Sequence, residues 1–399
     1  MLTFPSVHPF LMALLTESPS AKSQPAIVPE DSWLGIVEEA VTQRMAPLLF
    51  HRLSHPAHRY KIPLHLLNIL KQQVAQHVAW HLLLTQELRA ILTTCEQRGI
   101  ACVPIRGPVL AEQLYGDCST RPMDDLDLLV HREGLSAIKD IFQHLHYAQH
   151  EYRPGFLETY SYSLEFIHPQ HGLVVEPHWT LAYPPFIDTA AMERVWARAR
   201  RQQWSGIDTW ILSHEDLLLH LCLHLHHKGQ QAPLLWFYEL AAVIRRHGAT
   251  LDWNIFMNQV QLMEQTGAVA DVLTLLKGAF CSTIPDPVVR QLTEQRQNHS
   301  GLPSSIIRHQ ILARSSISGR EELALLCSLP TVRQQLRYLS ALLFPSPRYM
   351  TQRYGASTRM RLIGFYLARF FHLGTAGLRC AAAWIGFIVT TRSHSSVRR

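Results

Sequence analysis

Between Arg121 and Val130 the chain reads Arg-Pro-Met-Asp-Asp-Leu-Asp-Leu-Leu-Val, and this stretch constrains the fold more than any other. On a β-strand successive side chains alternate faces, so Asp125 and Asp127 point one way while Leu126, Leu128 and Val130 point the other. The apolar side needs a core. The carboxylate side needs a counter-charge, because two neighbouring carboxylates repel each other and resist joint ionisation. A hard divalent cation supplies that charge, and Mg²⁺ commonly takes one or two carboxylates together with substrate phosphates. The pattern therefore points to metal-assisted phosphoryl chemistry.

A chain of 399 residues with 47% hydrophobic content can bury more than one core. Its seven cysteines stand singly, with no Cys-x-x-Cys pair, which argues for reduced thiols in a cytoplasmic protein rather than a disulfide frame. The start, Met1-Leu2-Thr3-Phe4-Pro5, lacks a basic segment followed by a long apolar one, so no signal peptide is expected. From Arg337 to Arg399 there are ten arginines and no acidic residue. Such an arm suits a basic surface on a helical domain, favoured over a face for nucleic acid, a membrane or an anionic substrate. The stretch from Leu362 to Thr391 is rich in apolar residues but is interrupted by Arg369 and Arg379, and its cleanest run, Cys380 to Thr391, is too short to span a bilayer, which needs about 20 residues. A core helix is preferred there, with a peripheral amphipathic helix as the alternative and no transmembrane segment.

Residues 1–30, rich in Pro and Ser, read as a poorly ordered or loosely docked lead-in. A helical stretch is expected from Trp33 to Leu53, and another from Pro63 to Arg98, with Pro at its start and Gly99 just past its end. The short apolar run Ile100 to Ile105 reads as a buried strand, and Arg106-Gly107-Pro108 turns into a helix from Val109 to Tyr115. The Asp strand follows at 125–130, then a helix from Gly134 to Leu145 and strands at Ser161–Ile167 and Gly172–Glu176. Beyond Ser213, which caps acids in a first helical turn, the pattern is helical: Leu217 to His227, Leu234 to His247 and onward. Breaks fall at Pro285-Asp286-Pro287 and Pro345-Ser346-Pro347.

A third carboxylate, Glu176, ends a strand in Val174-Val175-Glu176-Pro177-His178-Trp179 and shares a face with His178. If that strand pairs beside the Asp strand, a three-acid cluster results, of the kind that can hold two metal ions. Gly-x-Ser-x-Gly, Gly-x-Gly-x-x-Gly and P-loop patterns are absent, which removes serine-hydrolase, dinucleotide-fold and Walker-type readings. His220, His224 and His227 share one helical face, but no established zinc pattern surrounds them, so a polar face toward the cleft or packed histidines is preferred.

Taken together, Gly99-Ile100, Ile105-Arg106-Gly107, Leu114-Tyr115, Arg121 and Asp125-Leu126-Asp127-Leu128-Leu129-Val130 form a recognisable series. With Glu176-x-His178-Trp179 and Glu215-Asp216-Leu217-Leu218, it resembles the uncharacterised bacterial nucleotidyltransferases of the DNA polymerase beta-like superfamily, over roughly residues 30 to 250. The resemblance implies an α+β protein: a small mixed-sheet catalytic domain (99–205), preceded by the lead-in and a helical segment (1–98) and followed by a helical domain with a basic C-terminal arm (206–399). It implies transfer of a nucleoside monophosphate from an NTP, ATP among them, to a hydroxyl or phosphate acceptor. Asp125, Asp127 and Glu176 match the catalytic acids that hold Mg²⁺ or Mn²⁺, and Glu176 the one that also helps activate the acceptor.

The resemblance also assigns Arg106, Gly107, Arg121, His178 and Glu239 to the substrate. For Arg121 the residues by themselves leave open a phosphate contact, a role orienting Asp125, or an ion pair with an acid such as Asp124. Glu239 reads equally as a cleft acid or a surface one. Arg106 stands where the family usually has Lys, and Pro108 where Gly or Ser is common, which alters the phosphate grip. The rival expectation is a catalytically silent relative serving as a binding or scaffold protein in a biosynthetic pathway. The acceptor is expected to be a small molecule, a sugar or a peptide, with nucleic acid not favoured and a peripheral membrane contact left open.

Overall fold

The structure is a computed structural model, and it describes residues 4–16, 28–54, 62–116, 120–150, 155–181, 189–280, 283–298, 325–326, 329, 331–354, 360–371 and 375. Helices α1 (Pro9–Thr16), α2 (Trp33–Thr42), α3 (Ala46–Ser54) and α4 (Leu64–Gln97) come first. The lead-in is docked rather than loose across its described part: Phe10 and Leu11 are buried, and the Phe10 ring meets Trp33 edge-on at 5.2 Å. The stretch from Trp33 to Leu53 is two helices, not one. Arg44 adopts a left-handed φ of 59°, and the Met45 amide donates back to the Ala40 carbonyl at 2.6 Å, closing α2. No Gly marks that break, but Pro47 stands in the first turn of α3, a usual place for Pro at a helix start. Gly99, at φ 65°, ends α4 in the same way, with the Ile100 amide donating to the Cys95 carbonyl at 2.9 Å.

Five short strands form one mixed sheet in the order β1 (Cys102–Pro104), β2 (Asp125–Val130), β5 (Val174–His178), β4 (Glu165–Ile167) and β3 (Ala148–His150). Only the central β2–β5 pair is parallel; the other pairings are antiparallel. Between strands lie α5 (Gly107–Tyr115), α6 (Leu135–His144) and α7 (Phe156–Tyr160). β5 runs two residues past the expected Glu176, and β4 begins later than Ser161. β3 was not anticipated, and neither was the hairpin β6 (Arg200–Trp204) to β7 (Ile207–Ile211), whose turn residues Ser205 and Gly206 both have positive φ. A strand reading Arg-Arg-Gln-Gln-Trp carries no apolar alternation by which to find it.

The apolar side of β2 does what its pattern demands. Leu126, Leu128 and Val130 pack with Leu84, Leu88 and Ile91 of α4, Ile138 and Phe142 of α6, and Val175 of β5. Leu129, on the opposite side, joins a second core built from the N-terminal helices and from α8 (Thr189–Arg198), α9 (His214–Lys228), α10 (Leu234–His247), α11 (Trp253–Leu262) and α12 (Thr266–Phe280). The sheet is thus sandwiched between helical layers, and the carboxylate face looks toward α9 and α10. Further along come α13 (Asp286–Asn298), α14 (Val332–Leu343), α15 (Pro347–Tyr354) and a helical segment at 360–371. Of the stretch Leu362–Thr391, expected as a core helix, residues 362–371 are helical but leave Ile363, Leu367, Phe370 and Phe371 exposed, so this part is not a core helix; the run Cys380 to Thr391 lies outside the described residues. Among the described residues no helix is long and apolar enough to cross a membrane.

Candidate active site

The register of two parallel strands builds the site. Asp127 sits opposite Glu176, Asp125 opposite Val174, and Leu129 opposite His178, so Asp125, Asp127, Glu176 and His178 share one face of the sheet. The ligand atoms of Asp127, Glu176 and His178 all lie within 4.8 Å of one another. His178 Nε2 is 3.0 Å from Asp127 Oδ1 and 3.6 Å from Glu176 Oε2, with the Tyr162 ring beside the imidazole at 5.3 Å. Asp125 stands on the same face, one step outward and less buried than Asp127. His178, expected at the substrate, thereby joins the residues that could hold a metal.

Arg106 enters from the turn before α5. Gly107, at φ 68°, takes a backbone conformation that L side chains rarely adopt, and so allows strand β1 to turn abruptly into the helix. The buried Arg106 guanidinium forms an ion pair with Asp127 Oδ2 and donates from its other terminal nitrogen to His224 Nε2 at 2.6 Å. His224 accepts that bond as a neutral imidazole. Burial, then the Arg106 charge, holds its pKa well below the usual value.

The three carboxylates respond differently to one another. Burial alone would push Asp127 up, but Arg106 and then the His178 hydrogen bond outweigh it and hold Asp127 below the usual carboxylate range. Asp125 is raised, first by the Asp127 charge and then by burial. Glu176 is raised to about 7, first by burial and then by Asp127. Fully ionised, three carboxylates face one guanidinium, which leaves two negative charges without a partner. That imbalance, with oxygen and imidazole donors converging, fits a divalent cation.

The site opens into a cavity of about 260 Å³. Arg106, Arg121, Asp125, Asp127, Glu176 and His178 line its sheet side; His220, His224, His227, Lys228 and Trp236 line the other. The α9 histidines therefore face the cleft. Among the described residues they complete no convergent metal set. His220 is buried, neither of its ring nitrogens has a hydrogen-bond partner, and burial followed by the Arg106 charge lowers its pKa to about 3.

Arg121 and Glu239, both expected at the substrate, are joined to each other. Arg121 Nε donates to Glu239 Oε1 at 2.6 Å and its terminal nitrogen to Oε2 at 3.3 Å, with side chains 5% and 1% exposed. Asp124, which the sequence offered as a partner for Arg121, pairs instead with Arg44 at 2.5 Å. Arg44, Tyr162, Lys228 and Trp236 line the cavity without having been singled out. Lys228 directly follows His227 on the cleft-facing helix, which was a usable signal; Pro47 could have placed the helix break beside Arg44, but nothing local aims Arg44 at the cleft.

A profile of the family described as "Uncharacterised nucleotidyltransferase" matches residues 29–280, well over half of the chain. The chain belongs to this family. Searches of the curated proteins and of the solved structures returned no match. The matched span runs from the helices before the sheet, through the acid-bearing strands, to the last residue of α12, and so includes both walls of the cavity.

Proposed function

We propose that this family member is a cytoplasmic, metal-dependent nucleotidyltransferase of the DNA polymerase beta-like superfamily, of bacterial origin. It moves a nucleoside monophosphate from an NTP to a hydroxyl or phosphate acceptor and releases pyrophosphate. One observation carries the reading: Asp127 lies opposite Glu176 in parallel strands, so that three carboxylates on one face exceed the single guanidinium beside them by two charges.

Asp125, Asp127 and Glu176 would hold Mg²⁺ or Mn²⁺, and His178 keeps one Asp127 oxygen in place. When bound, the metal supplies electrostatic stabilisation of the triphosphate and of the attacking oxygen. In the transfer the acceptor oxygen bonds to the α-phosphorus, and the bond from that phosphorus to the bridging oxygen breaks. Pyrophosphate leaves with the electron pair. Glu176 would take the proton from the acceptor hydroxyl as that oxygen bonds to phosphorus. The Arg106 Nε–H is buried without a hydrogen-bond partner, and it offers a donor to a phosphate oxygen beside the start of α5.

The test is calorimetric titration of each of the four NTPs, with and without Mg²⁺, into the wild type and an Asp125→Ala/Asp127→Ala variant. Binding that needs both the cation and the acids supports the reading. The second reading, a nucleotide-binding or scaffold protein without turnover, draws on the Arg106–Asp127 ion pair, which already satisfies one acid. It predicts NTP binding that survives removal of Mg²⁺, and no pyrophosphate release with any acceptor. The acceptor class is proposed as a small molecule, a sugar or a peptide.

A further inference from the structure

The helical segment 360–371 is fastened to the protein along one side. Phe365 stacks on Tyr354 with centroids 5.2 Å apart, the Tyr366 hydroxyl donates to the Pro345 carbonyl at 2.6 Å, and Arg369 Nε donates to the Leu342 carbonyl at 2.9 Å. Its other side carries Met360, Ile363, Leu367, Phe370 and Phe371, which are 81, 57, 57, 51 and 69% exposed. At about 100° per residue these five side chains fall within an arc of roughly 100°. A helix on a globular surface ordinarily turns such a stripe inward. Here the inner contacts hold it outward, and an exposed contiguous apolar patch marks an interaction surface. On α14, Val332 and Leu336 are also exposed, each followed by an arginine, Arg333 and Arg337.

Charge selects the occupant. Between Arg337 and Arg399 the sequence holds ten arginines and no acidic residue, so a second copy of this part of the chain would bring like charges together and offer no acid to answer them. An RNA would answer the arginines but not the stripe, since Met360, Ile363 and Leu367 carry no ring on which a base can stack. An anionic lipid surface answers both, because its acyl boundary accepts aliphatic and phenyl side chains and its headgroups attract arginine. Among the described residues no helix is long and apolar enough to cross a membrane, and the contacts along one side of 360–371 hold it against the protein, which suits a helix lying on a bilayer surface.

We propose that segment 360–371 is a peripheral membrane anchor, seating its outward stripe in the surface of an anionic bilayer. The experiment is co-sedimentation of the full chain with vesicles of phosphatidylcholine alone, and with vesicles also containing phosphatidylglycerol. Wild type is expected to pellet with the anionic vesicles, less with the neutral ones, and less as salt rises. A Leu367→Glu/Phe371→Glu variant should partition at least about tenfold less, while Leu367→Met/Phe371→Leu should keep the binding. The melting temperature shows whether each variant is folded. Absence of wild-type binding to anionic vesicles overturns the proposal, as does equal binding by the folded Glu variant. If that substitution instead halves the particle mass in solution, the stripe is a self-association face and the proposal fails. Retention of a single-stranded RNA in place of vesicles also overturns it.

Discussion

Two clusters of buried charge lie on the same sheet-to-helix boundary, and they are built on opposite terms. Arg121 and Glu239 form a closed account: one guanidinium, one carboxylate, two hydrogen bonds, and 5 and 1% exposure. A few residues away, Asp125, Asp127 and Glu176 crowd around Arg106, which pairs with Asp127, beside neutral histidines and an open cavity. A buried pair in balance ties α10 to the approach to β2 and asks for nothing more. A buried cluster out of balance carries repulsion and a burial penalty, visible in the raised pKa values of Asp125 and Glu176, which a bound proton or a further cation relieves. The difference separates a structural ion pair from a ligand site more sharply than residue type does, since both clusters are made of Arg and acid.

The largest effect expected is at the unbalanced cluster. Asp127→Ala should lower nucleotidyl transfer by about 10²–10³-fold or more while the protein keeps its fold, measured as pyrophosphate release. Turnover retained in that variant would sink the mechanism. Next comes the balanced pair. Arg121→Ala leaves the Glu239 carboxylate buried alone and should cost about 3–5 kcal/mol in denaturant unfolding. Arg121→Met/Glu239→Leu should recover most of that loss, and if it does not, the pair has a role beyond neutralising itself.

A third way to sharpen the contrast is pH. The folded protein keeps a proton on Glu176 that the unfolded chain releases near 4.5. Without a divalent cation, the stability contribution of this group is present below 4.5 and is lost as pH rises to about 7. Glu176→Gln should flatten that dependence in thermal melts, and an unchanged profile would place the titration elsewhere. The smallest effect belongs to an exposed pair. Arg201 binds Glu96 at 2.7 Å and 2.9 Å, yet the Glu96 side chain is 55% exposed. Glu96→Gln should change stability by less than about 1 kcal/mol. A larger loss would mean that burial does not govern these pairs.

Much of this was readable along the chain because it is local. The Asp-Leu-Asp alternation placed two acids on one strand face, Pro63 and Gly99 bracketed α4, and Ser213 capped α9 by accepting from the Asp216 amide. Where no local device existed the reading went astray. The polar strand Arg200–Trp204 lacks alternation, whereas the break at Arg44 had a local signal, Pro47 in the first turn of α3, that went unused. The partner of Arg121 lies 118 residues away, and so does the histidine that receives Arg106. By itself the sequence determined which side chains share a face, because backbone geometry makes that a matter of spacing. Only the tertiary structure decided which charges meet, because pairing, burial and the resulting excess of negative charge depend on how distant segments pack.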